Sequence, residues 1–395
     1  MFKIFTQKDG LANVKGFYCD GVNVGMKTEP KEDGDVAFIR SETVCEVSSV
    51  FTTNNFAAAP IKHYQRYPKD FKTDFVLINS KNANAMTGKN GIEDIDEIFK
   101  SLNLKTTNPI MSSTGVIGYR LKKELIKSAF DKFDYEAKNS YKTARSIMTT
   151  DSFEKELAFK VELEDGKSFN IAAICKGAGM INPAMATMLC FVITDAAIPK
   201  SDMDELLTIA TKQSFNTISV DGDTSTNDTL MLLANSQSKA YNKEAFEMVL
   251  NRLTKELAMM ILKDGEGSNK VVAFEVTGAK DDKQAQTASM ALSNSLLVKT
   301  ALFGEDPNWG RIASTIGASG IICDEDSLVI KYDDLLIYSK HKPSLDEETE
   351  QKAFKIMKKE QYKISCDLGI SDGKFISYGC DLSYDYVKIN ADYRT

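Results

Sequence analysis

Apolar and polar positions along this 395-residue chain follow two periods, one typical of strands and one typical of helices. Between residues 243 and 263, apolar side chains recur at steps of three and four residues, which predicts an amphipathic helix. Asn242 is its predicted N-cap and Gly265 its predicted stop. Weaker repeats of the same kind predict helices at 121–133, 202–214, 283–300 and 346–358.

Short apolar and β-branched runs predict strands between these helices. The predicted strands are Val36–Ile39, Phe75–Asn79, Leu157–Leu163, Phe169–Ile174, Met188–Ile193, Thr229–Leu233 and Val271–Val276. Strands and helices mix without a regular βαβ rhythm, which predicts an α/β fold of the layered α+β kind. A chain of this length is expected to form two or more subdomains.

A glycine-rich loop that runs directly into a predicted core strand is the most informative segment for chemistry. It lies within Lys176–Asp195, and it holds Thr187 at the mouth of the strand Met188–Ile193. Such a position suits a threonine that becomes a chain N-terminus by self-cleavage and then acts as a nucleophile, with its own α-amine as the base. On these local features alone, an ordinary turn before a strand remains the alternative.

Composition narrows the classes of function. The formal net charge of −7 and the pI near 5.2 argue against a nucleic-acid surface. No apolar run is long enough to predict a transmembrane helix, and the N-terminal residues lack the apolar stretch of a secretory signal. Seven cysteines without a Cys-x-x-Cys pair favour the reducing cytoplasm.

The scarcity of histidine limits the candidate mechanisms. The chain has two histidines, His63 and His341, both in polar surroundings. A Ser-His-Asp or Cys-His arrangement therefore lacks a convincing base, and no His/Cys cluster has the spacing of metal ligands. We expect no metal and no bound cofactor.

Motifs spread over nearly the whole chain resemble those of the ArgJ family, the ornithine acetyltransferases or glutamate N-acetyltransferases. Besides KGAGMINPAMATML at 176–189, they are NSKNANAMTG at 79–88, SSTGVIG at 112–118, IMTTD at 147–151, VDGDTSTND at 220–228, DGEG at 264–267, DPNWGR at 306–311 and INADYRT at 389–395. Lys81 and Met86 depart from the family's usual residues, and neither is a position assigned to catalysis.

The resemblance implies a fold, an assembly and a reaction. The fold is the ArgJ/DmpA-like self-processing fold, in which residues 1–186 and 187–395 become an alpha and a beta chain that build two intertwined subdomains. Two copies of each chain would form a heterotetramer. The reaction moves the acetyl group of N2-acetyl-L-ornithine to L-glutamate through an acetyl-Thr187 enzyme. Whether acetyl-CoA also serves as a co-substrate stays open.

The resemblance also assigns roles to residues. Cleavage would fall between Ala186 and Thr187, and Thr187 would be the nucleophile. The oxyanion hole is assigned to Thr114 and Gly115. Substrate contacts are assigned to Thr149, Lys176, Thr187, Glu266, Asn390 and Thr395, with Thr150 as the alternative to Thr149. The last seven residues are expected to tuck into the body of the protein, and the turn at 221–228 to pack near the site.

Two other functions fit the same fold. One is an amidase or aminopeptidase that uses a self-processed N-terminal threonine. The other is a non-catalytic binding protein, which need not keep Thr187, Lys176 and Glu266 together. Small molecules are the expected partners in every case, without nucleic acid or membrane.

Overall fold

The computed structural model describes residues 1–26, 34–182 and 188–392. The strands, numbered along the chain, are β1 Phe2–Gln7, β2 Phe17–Val22, β3 Val36–Phe51, β4 Lys72–Asn79, β5 Ile110–Ser113, β6 Lys155–Leu163, β7 Ser168–Lys176, β8 Leu189–Thr194, β9 Ile218–Ser219, β10 Thr229–Ala234, β11 Val271–Ala279, β12 Val329–Tyr332, β13 Leu335–Tyr338, β14 Gln361–Asp367 and β15 Gly373–Cys380. Each predicted strand is present.

The helices are α1 Ala59–Tyr64, α2 Gly88–Lys100, α3 Lys123–Ser128, α4 Ser140–Ser146, α5 Lys200–Gln213, α6 Lys243–Lys263, α7 Asp282–Asn294, α8 Leu296–Phe303, α9 Trp309–Ala318, α10 Glu347–Met357 and α11 Tyr384–Asp392. In the part of the chain that the structure describes, no helix is both long and apolar enough to cross a membrane.

Two mixed sheets organise the fold. Within the described residues, the larger sheet has nine strands in the order β1-β6-β7-β8-β10-β3-β4-β5, with β2 paired to β3. The smaller sheet has the order β13-β12-β14-β11-β15-β9. Helices α5 and α6 pack on one face of the larger sheet, and α6 also contacts β9 and β15 of the smaller one. The layered α/β class predicted from the sequence is therefore confirmed.

The larger sheet joins the two halves of the sequence. Strands β1 to β7 come before the predicted cleavage position, whereas β8 and β10 come after it. Strand β8 lies between β7 and β10 in the interior of the sheet, and all six of its residues are buried. The division into residues 1–186 and 187–395 itself stays a prediction.

Helix α6 has the predicted bounds, but its C-terminal end is not capped by a glycine as predicted. The side chain of Asn242 accepts a hydrogen bond from Ala245 N at 2.9 Å, as a good N-cap does. At the other end Asp264 is the C-cap, and Gly265 does not adopt the left-handed conformation expected of a glycine stop. The Asp264 carboxylate at this end forms an ion pair with Lys155.

The single helix predicted at 283–300 is two helices. Ser295 interrupts it with an extended backbone, and its hydroxyl accepts from Val298 N at 3.3 Å as the N-cap of α8. The break lets α7 and α8 both place apolar side chains against the smaller sheet, including Leu292 and Leu302. A continuous apolar pattern conceals such a break because both helices use the same period.

Candidate active site

A cavity of about 190 Å³ lies where loops from both halves of the sequence meet. Its walls include six of the residues predicted for the site: Thr114, Gly115, Thr149, Lys176, Glu266 and Asn390. Thr150, the alternative to Thr149, lines it as well. Ala186, Thr187 and Thr395 lie outside the described residues, so the structure leaves their assignments as predictions.

Strand pairing explains why distant segments meet here. Strand β7 is antiparallel to β8, with Lys176 opposite Leu189, and β10 is parallel to β8, with Thr229 opposite Leu189. The end of β7 and the starts of β8 and β10 therefore lie at one edge of the sheet. The loops that follow or precede these ends form one side of the cavity.

The Thr114–Gly115 peptide has the geometry of an anion-binding turn. Thr114 N donates to Asn79 O at 3.0 Å and Val116 N donates to Lys81 O at 3.3 Å, whereas Gly115 N donates to no described residue. Gly115 has φ 130°, and a Cβ there would lie 2.2 Å from Lys81 C. Only glycine fits this turn, which leaves an N–H and a hydroxyl beside the cavity.

Asn227 holds this turn in place. Its Nδ2 donates to Ala83 O at 2.6 Å and to Ser113 O at 2.8 Å, so one amide joins the segment that carries Gly115 to the neighbouring segment at Ala83. Its Oδ1 accepts from the hydroxyl of Thr226 at 2.7 Å. The predicted turn at 221–228 does pack near the site, but nothing in the pattern singled out Asn227 within it.

Lys176 is almost fully buried, at 2% exposure. Its Nζ donates to Thr114 Oγ1 at 3.4 Å. The side chain leaves the last position of β7, where Lys176 still pairs with Leu189, rather than the glycine-rich loop that follows. The ammonium thus lies against the hydroxyl predicted for the oxyanion hole.

A buried ion network lies beneath the cavity. Lys155 Nζ donates to Asp151 Oδ1 at 2.8 Å and also binds Asp264, and all three side chains are almost fully buried. Asp151 Oδ1 also accepts from Gly177 N at 2.7 Å. Although burial opposes its ionisation, the ammonium groups of Lys155 and Lys176 hold the pKa of Asp151 well below its usual range.

This network joins three cavity segments, because each aspartate belongs to a different motif. Asp151 ends IMTTD and Asp264 begins DGEG, while Gly177 belongs to the glycine-rich loop. Lys155 lies in none of the motifs, in a run of alternating charges that is typical of an exposed strand. Sequence reasoning missed it for that reason.

The opposite side of the cavity is built by α11 and the loop that carries Glu266. Asn390 Nδ2 donates to Glu266 Oε2 at 2.7 Å, and the Tyr386 hydroxyl donates to Asp221 Oδ2 at 3.3 Å. A Cβ on Gly179 would lie 2.4 Å from the Glu266 carboxylate, so a side chain there would displace Glu266.

The last seven residues were expected to tuck into the body; residues 389–392 lie at the end of the exposed helix α11, and residues 393–395 lie outside the described residues, so that expectation stays a prediction. None of the residues of α11 is buried, and Tyr384 and Val387 are largely exposed. The helix contacts the protein through Tyr386 and Asn390 and through the ring of Tyr384, which packs edge-on against Phe303, and it forms an exposed helix over the cavity.

Comparisons with known proteins agree along the full chain. Residues 18–395 match the model of the ArgJ family. The "Arginine biosynthesis bifunctional protein ArgJ" of Wolinella succinogenes is 54% identical over 398 residues, covering 100% of both chains. The "Glutamate N-acetyltransferase" of Methanocaldococcus jannaschii is 41% identical and covers 98% of both. A crystal structure of an ArgJ protein from Bacillus halodurans has 35% identity and a TM-score of 0.46, covering 50% of this chain and 96% of that one.

Proposed function

This chain belongs to the ArgJ family, and we propose that it moves the acetyl group of N2-acetyl-L-ornithine to L-glutamate in arginine biosynthesis. The products are L-ornithine and N-acetyl-L-glutamate. The observation that carries the proposal is that the Thr114 hydroxyl, the Lys176 ammonium and a Gly115 N–H without a partner among the described residues converge in one cavity beside the start of β8. The relative from Wolinella is named bifunctional, and we include acetyl-CoA as a second acetyl donor.

The proposed chemistry starts from Thr187 as the N-terminal residue of a processed chain. An α-amine with a pKa of roughly 7.7–8.0 is partly neutral near pH 7 and can take the hydroxyl proton. The hydroxyl oxygen attacks the acetyl carbonyl carbon, and ornithine leaves with its α-amine protonated. The α-amine of glutamate then attacks the acetyl ester, which restores the threonine hydroxyl.

Each half-reaction passes through a tetrahedral oxyanion. In the proposal, Thr114 Oγ1 and Gly115 N donate to that oxygen. The Lys176 ammonium already donates to Thr114 Oγ1, which leaves the hydroxyl proton of Thr114 free to point at the oxyanion. Donors held in advance in a water-poor site stabilise the developing charge at little reorganisation cost.

Recognition of the amino acid is assigned to the remaining cavity residues. An ammonium on one side and the Glu266 carboxylate on the other suit a ligand that carries both charges. Asn390 orients that carboxylate, and Thr149 or Thr150 offers a hydroxyl. Thr395 is proposed to complete the substrate contacts. A heterotetramer of two alpha and two beta chains and a cytoplasmic location remain part of this proposal.

Acetyl transfer can be tested with purified protein and two donor mixtures. We expect sustained ornithine release from N-acetylornithine only when glutamate is present, because without glutamate each site releases one ornithine and stops at the acetyl-enzyme. We also expect N-acetylglutamate from acetyl-CoA plus glutamate. Varying both substrates should give parallel reciprocal plots, because one acyl-enzyme serves them in turn. Release of acetate in the absence of glutamate would instead support an amidase, and binding without turnover would support a non-catalytic protein.

Self-cleavage can be followed by intact mass. The wild-type protein should yield fragments 1–186 and 187–395, and Thr187→Ala should remain a single inactive chain. An active full-length wild-type chain would contradict the role of a free α-amine.

A further inference from the structure

Two chain segments run next to each other out of the cavity lining. Ala83 and Ile117 line the cavity, and Ala83 N donates to Val116 O at 3.0 Å. The residues that follow in each segment, 84–92 and 118–123, lie outside this lining. The two segments therefore build the surface that adjoins the Thr114–Gly115 turn.

Two large apolar side chains are exposed on this surface. Gly118 N donates to Ala85 O at 3.0 Å, and Met86 and Tyr119 each directly follow one partner of that hydrogen bond. Their Cα atoms are therefore close together. Met86 is 62% exposed and Tyr119 is 53% exposed. Exposed apolar side chains that gather at the rim of a cavity are typical of a ligand-contact surface.

The same segments carry positive charge. Residues 79–92 and 106–123 contain no Asp or Glu, and their basic residues are Lys81, Lys89, Arg120, Lys122 and Lys123. Arg120 and Lys123 pair with carboxylates of α2, whereas Lys89 and Lys122 are exposed and form no ion pair with a described residue. In a chain of net charge −7, this is a local basic surface.

The opposite side of the cavity has the opposite charge. Its lining includes Asp221, Asp223 and Glu266, and Asp385 lies in the first turn of α11. A ligand with several negative charges is repelled on that side and attracted on the side of Lys89 and Lys122. The charge distribution thus gives the cavity a preferred direction of approach for a polyanion.

The cavity is too small to enclose a nucleotide-bearing acetyl donor. Its volume is about 190 Å³, below the roughly 300–1,000 Å³ of pockets that enclose drug-sized ligands. Acetyl-CoA carries its thioester at one end of a long flexible arm and its adenine and phosphates at the other. With the thioester carbonyl at Thr114 and Gly115, the arm has to leave the cavity, so the nucleotide binds on the surface outside.

We propose that Met86, Lys89, Tyr119 and Lys122 form a rim patch that binds the nucleotide end of acetyl-CoA. The inference rests on the proposed use of acetyl-CoA as a second donor and adds the place where the nucleotide binds. The adenine ring packs on Tyr119 and Met86, and the phosphates pair with the two ammonium groups. N-acetylornithine has no nucleotide and does not need the rim patch.

The transfer step is the first half-reaction of the proposed function with a thiol in place of ornithine. The threonine hydroxyl oxygen attacks the thioester carbon, and the C–S bond breaks. The hydroxyl proton leaves on the thiol, and the acetyl ester that remains is the one that glutamate consumes.

The first experiment compares three acetyl donors, each with glutamate as acceptor. They are acetyl-CoA, N-acetylornithine and S-acetylpantetheine, which has the thioester and part of the arm without the nucleotide. Tyr119→Ala should raise the KM for acetyl-CoA about fivefold or more, the low end of the range for losing a base stacked on an aromatic ring. The KM values for the other two donors should not change. The matched control is Tyr141→Ala on α4, where the tyrosine is 52% exposed, and it should leave all three KM values unchanged.

The second experiment tests the charges. The double variant Lys89→Glu, Lys122→Glu should raise the KM for acetyl-CoA about tenfold at low salt, and the effect should shrink as salt screens the exposed charges. The control is Lys212→Glu, Lys239→Glu, which makes the same change of net charge at two exposed lysines outside the cavity lining. This control should leave the KM for acetyl-CoA close to that of the wild type.

The third measurement uses the wild-type enzyme, so it does not depend on the folding of any variant. S-acetylpantetheine should have a kcat/KM at least about tenfold below that of acetyl-CoA, because it lacks the groups that the rim patch binds. Equal values for the two thioesters would overturn the inference, as would rim-patch variants that change all three donors alike or none of them. A wild-type enzyme that uses N-acetylornithine but neither thioester would overturn the proposed second donor and this inference with it.

Discussion

The two sides of the cavity differ in how firmly the protein holds them. The oxyanion wall consists of Thr114, Gly115, Lys176 and Asn227, and its side chains are almost fully buried. The carboxyl-terminal wall consists of Glu266, Tyr386 and Asn390, and two of these belong to a helix without a buried residue. The first wall is held by backbone and amide hydrogen bonds, the second by side-chain bonds at the rim of the cavity.

This difference matches what each wall is proposed to do. A donor to an oxyanion works only within a few tenths of an ångström of its position, so it belongs on buried backbone. Recognition of the amino acid requires that substrates enter and leave, which a lightly packed helix allows at low cost. We therefore expect substitutions in the first wall to change kcat and those in the second to change KM.

Of the substitutions considered, we expect the largest effect from one at Lys155, which lies beneath both walls, and the property affected is stability. Lys155→Met leaves the carboxylates of Asp151 and Asp264 buried without their cation, which should lower the free energy of unfolding by about 3–5 kcal/mol. Chemical denaturation measures this. The control is Lys160→Met on the same strand, where a half-exposed ion pair with Glu162 should contribute at most about 1 kcal/mol.

The pH dependence of the stability lost in Lys155→Met tests whether that loss comes from the unpaired carboxylates. In the wild type the pKa of Asp151 is depressed, so the stability it contributes is present above the unfolded pKa and is lost as pH falls. Without Lys155 the Asp151 carboxylate can take up a proton at higher pH. The difference in stability between variant and wild type should therefore shrink on acidification, and a constant difference would point to lost packing instead.

Within the oxyanion wall, Thr114→Ala should lower kcat by about 10²–10³-fold with little change in KM, because the hydroxyl acts mainly in the transition state. Steady-state kinetics on processed enzyme measures both constants. Thr208→Ala, which removes an exposed helix hydroxyl bonded to Asp204 O, is the control. An effect confined to KM would mean that Thr114 binds the ground-state substrate.

The smallest effect is expected in the carboxyl-terminal wall. Asn390→Ala removes the amide that orients Glu266 and should raise KM about threefold to tenfold, which corresponds to about 0.7–1.4 kcal/mol, with kcat almost unchanged. Lys388→Ala on the exposed face of α11 is the control. If Asn390→Ala lowered kcat as much as Thr114→Ala, catalysis and substrate recognition would not be separated between the two walls as proposed.

Local pattern predicted the longest helix and the central strands of the fold, but it missed other elements, among them α2 with 13 residues and β15 with eight. Helix α6 is recognisable because 21 residues keep one apolar face, and β8 because all of its residues before Thr194 are apolar. Strands β12 and β13 have four residues each, and β9 has two, so their periodicity carries too little information. Helix α11 was missed because its apolar residues are exposed and form no buried stripe.

Motif resemblance located the residues at the cavity but not the contacts that hold them. Thr114, Lys176 and Glu266 were named from their motifs, and the fold brings them together. Asn227 and Lys155 were not, because each works through partners more than 100 residues away in the sequence. Contacts between residues so far apart in the sequence cannot be predicted from periodicity or from local spacing.

The sequence by itself determined the family, the layered α/β class and the motif residues that line the cavity, because these follow from local composition and from similarity along the chain. Only the tertiary structure decided that the Asp228 carboxyl lies level with Met188, that Lys176 meets the Thr114 hydroxyl, and that one lysine joins Asp151 to Asp264. These relations depend on strand register and burial. Both arise only when distant segments pack and exclude water, which changes the protonation and partners of groups that look ordinary in the linear chain.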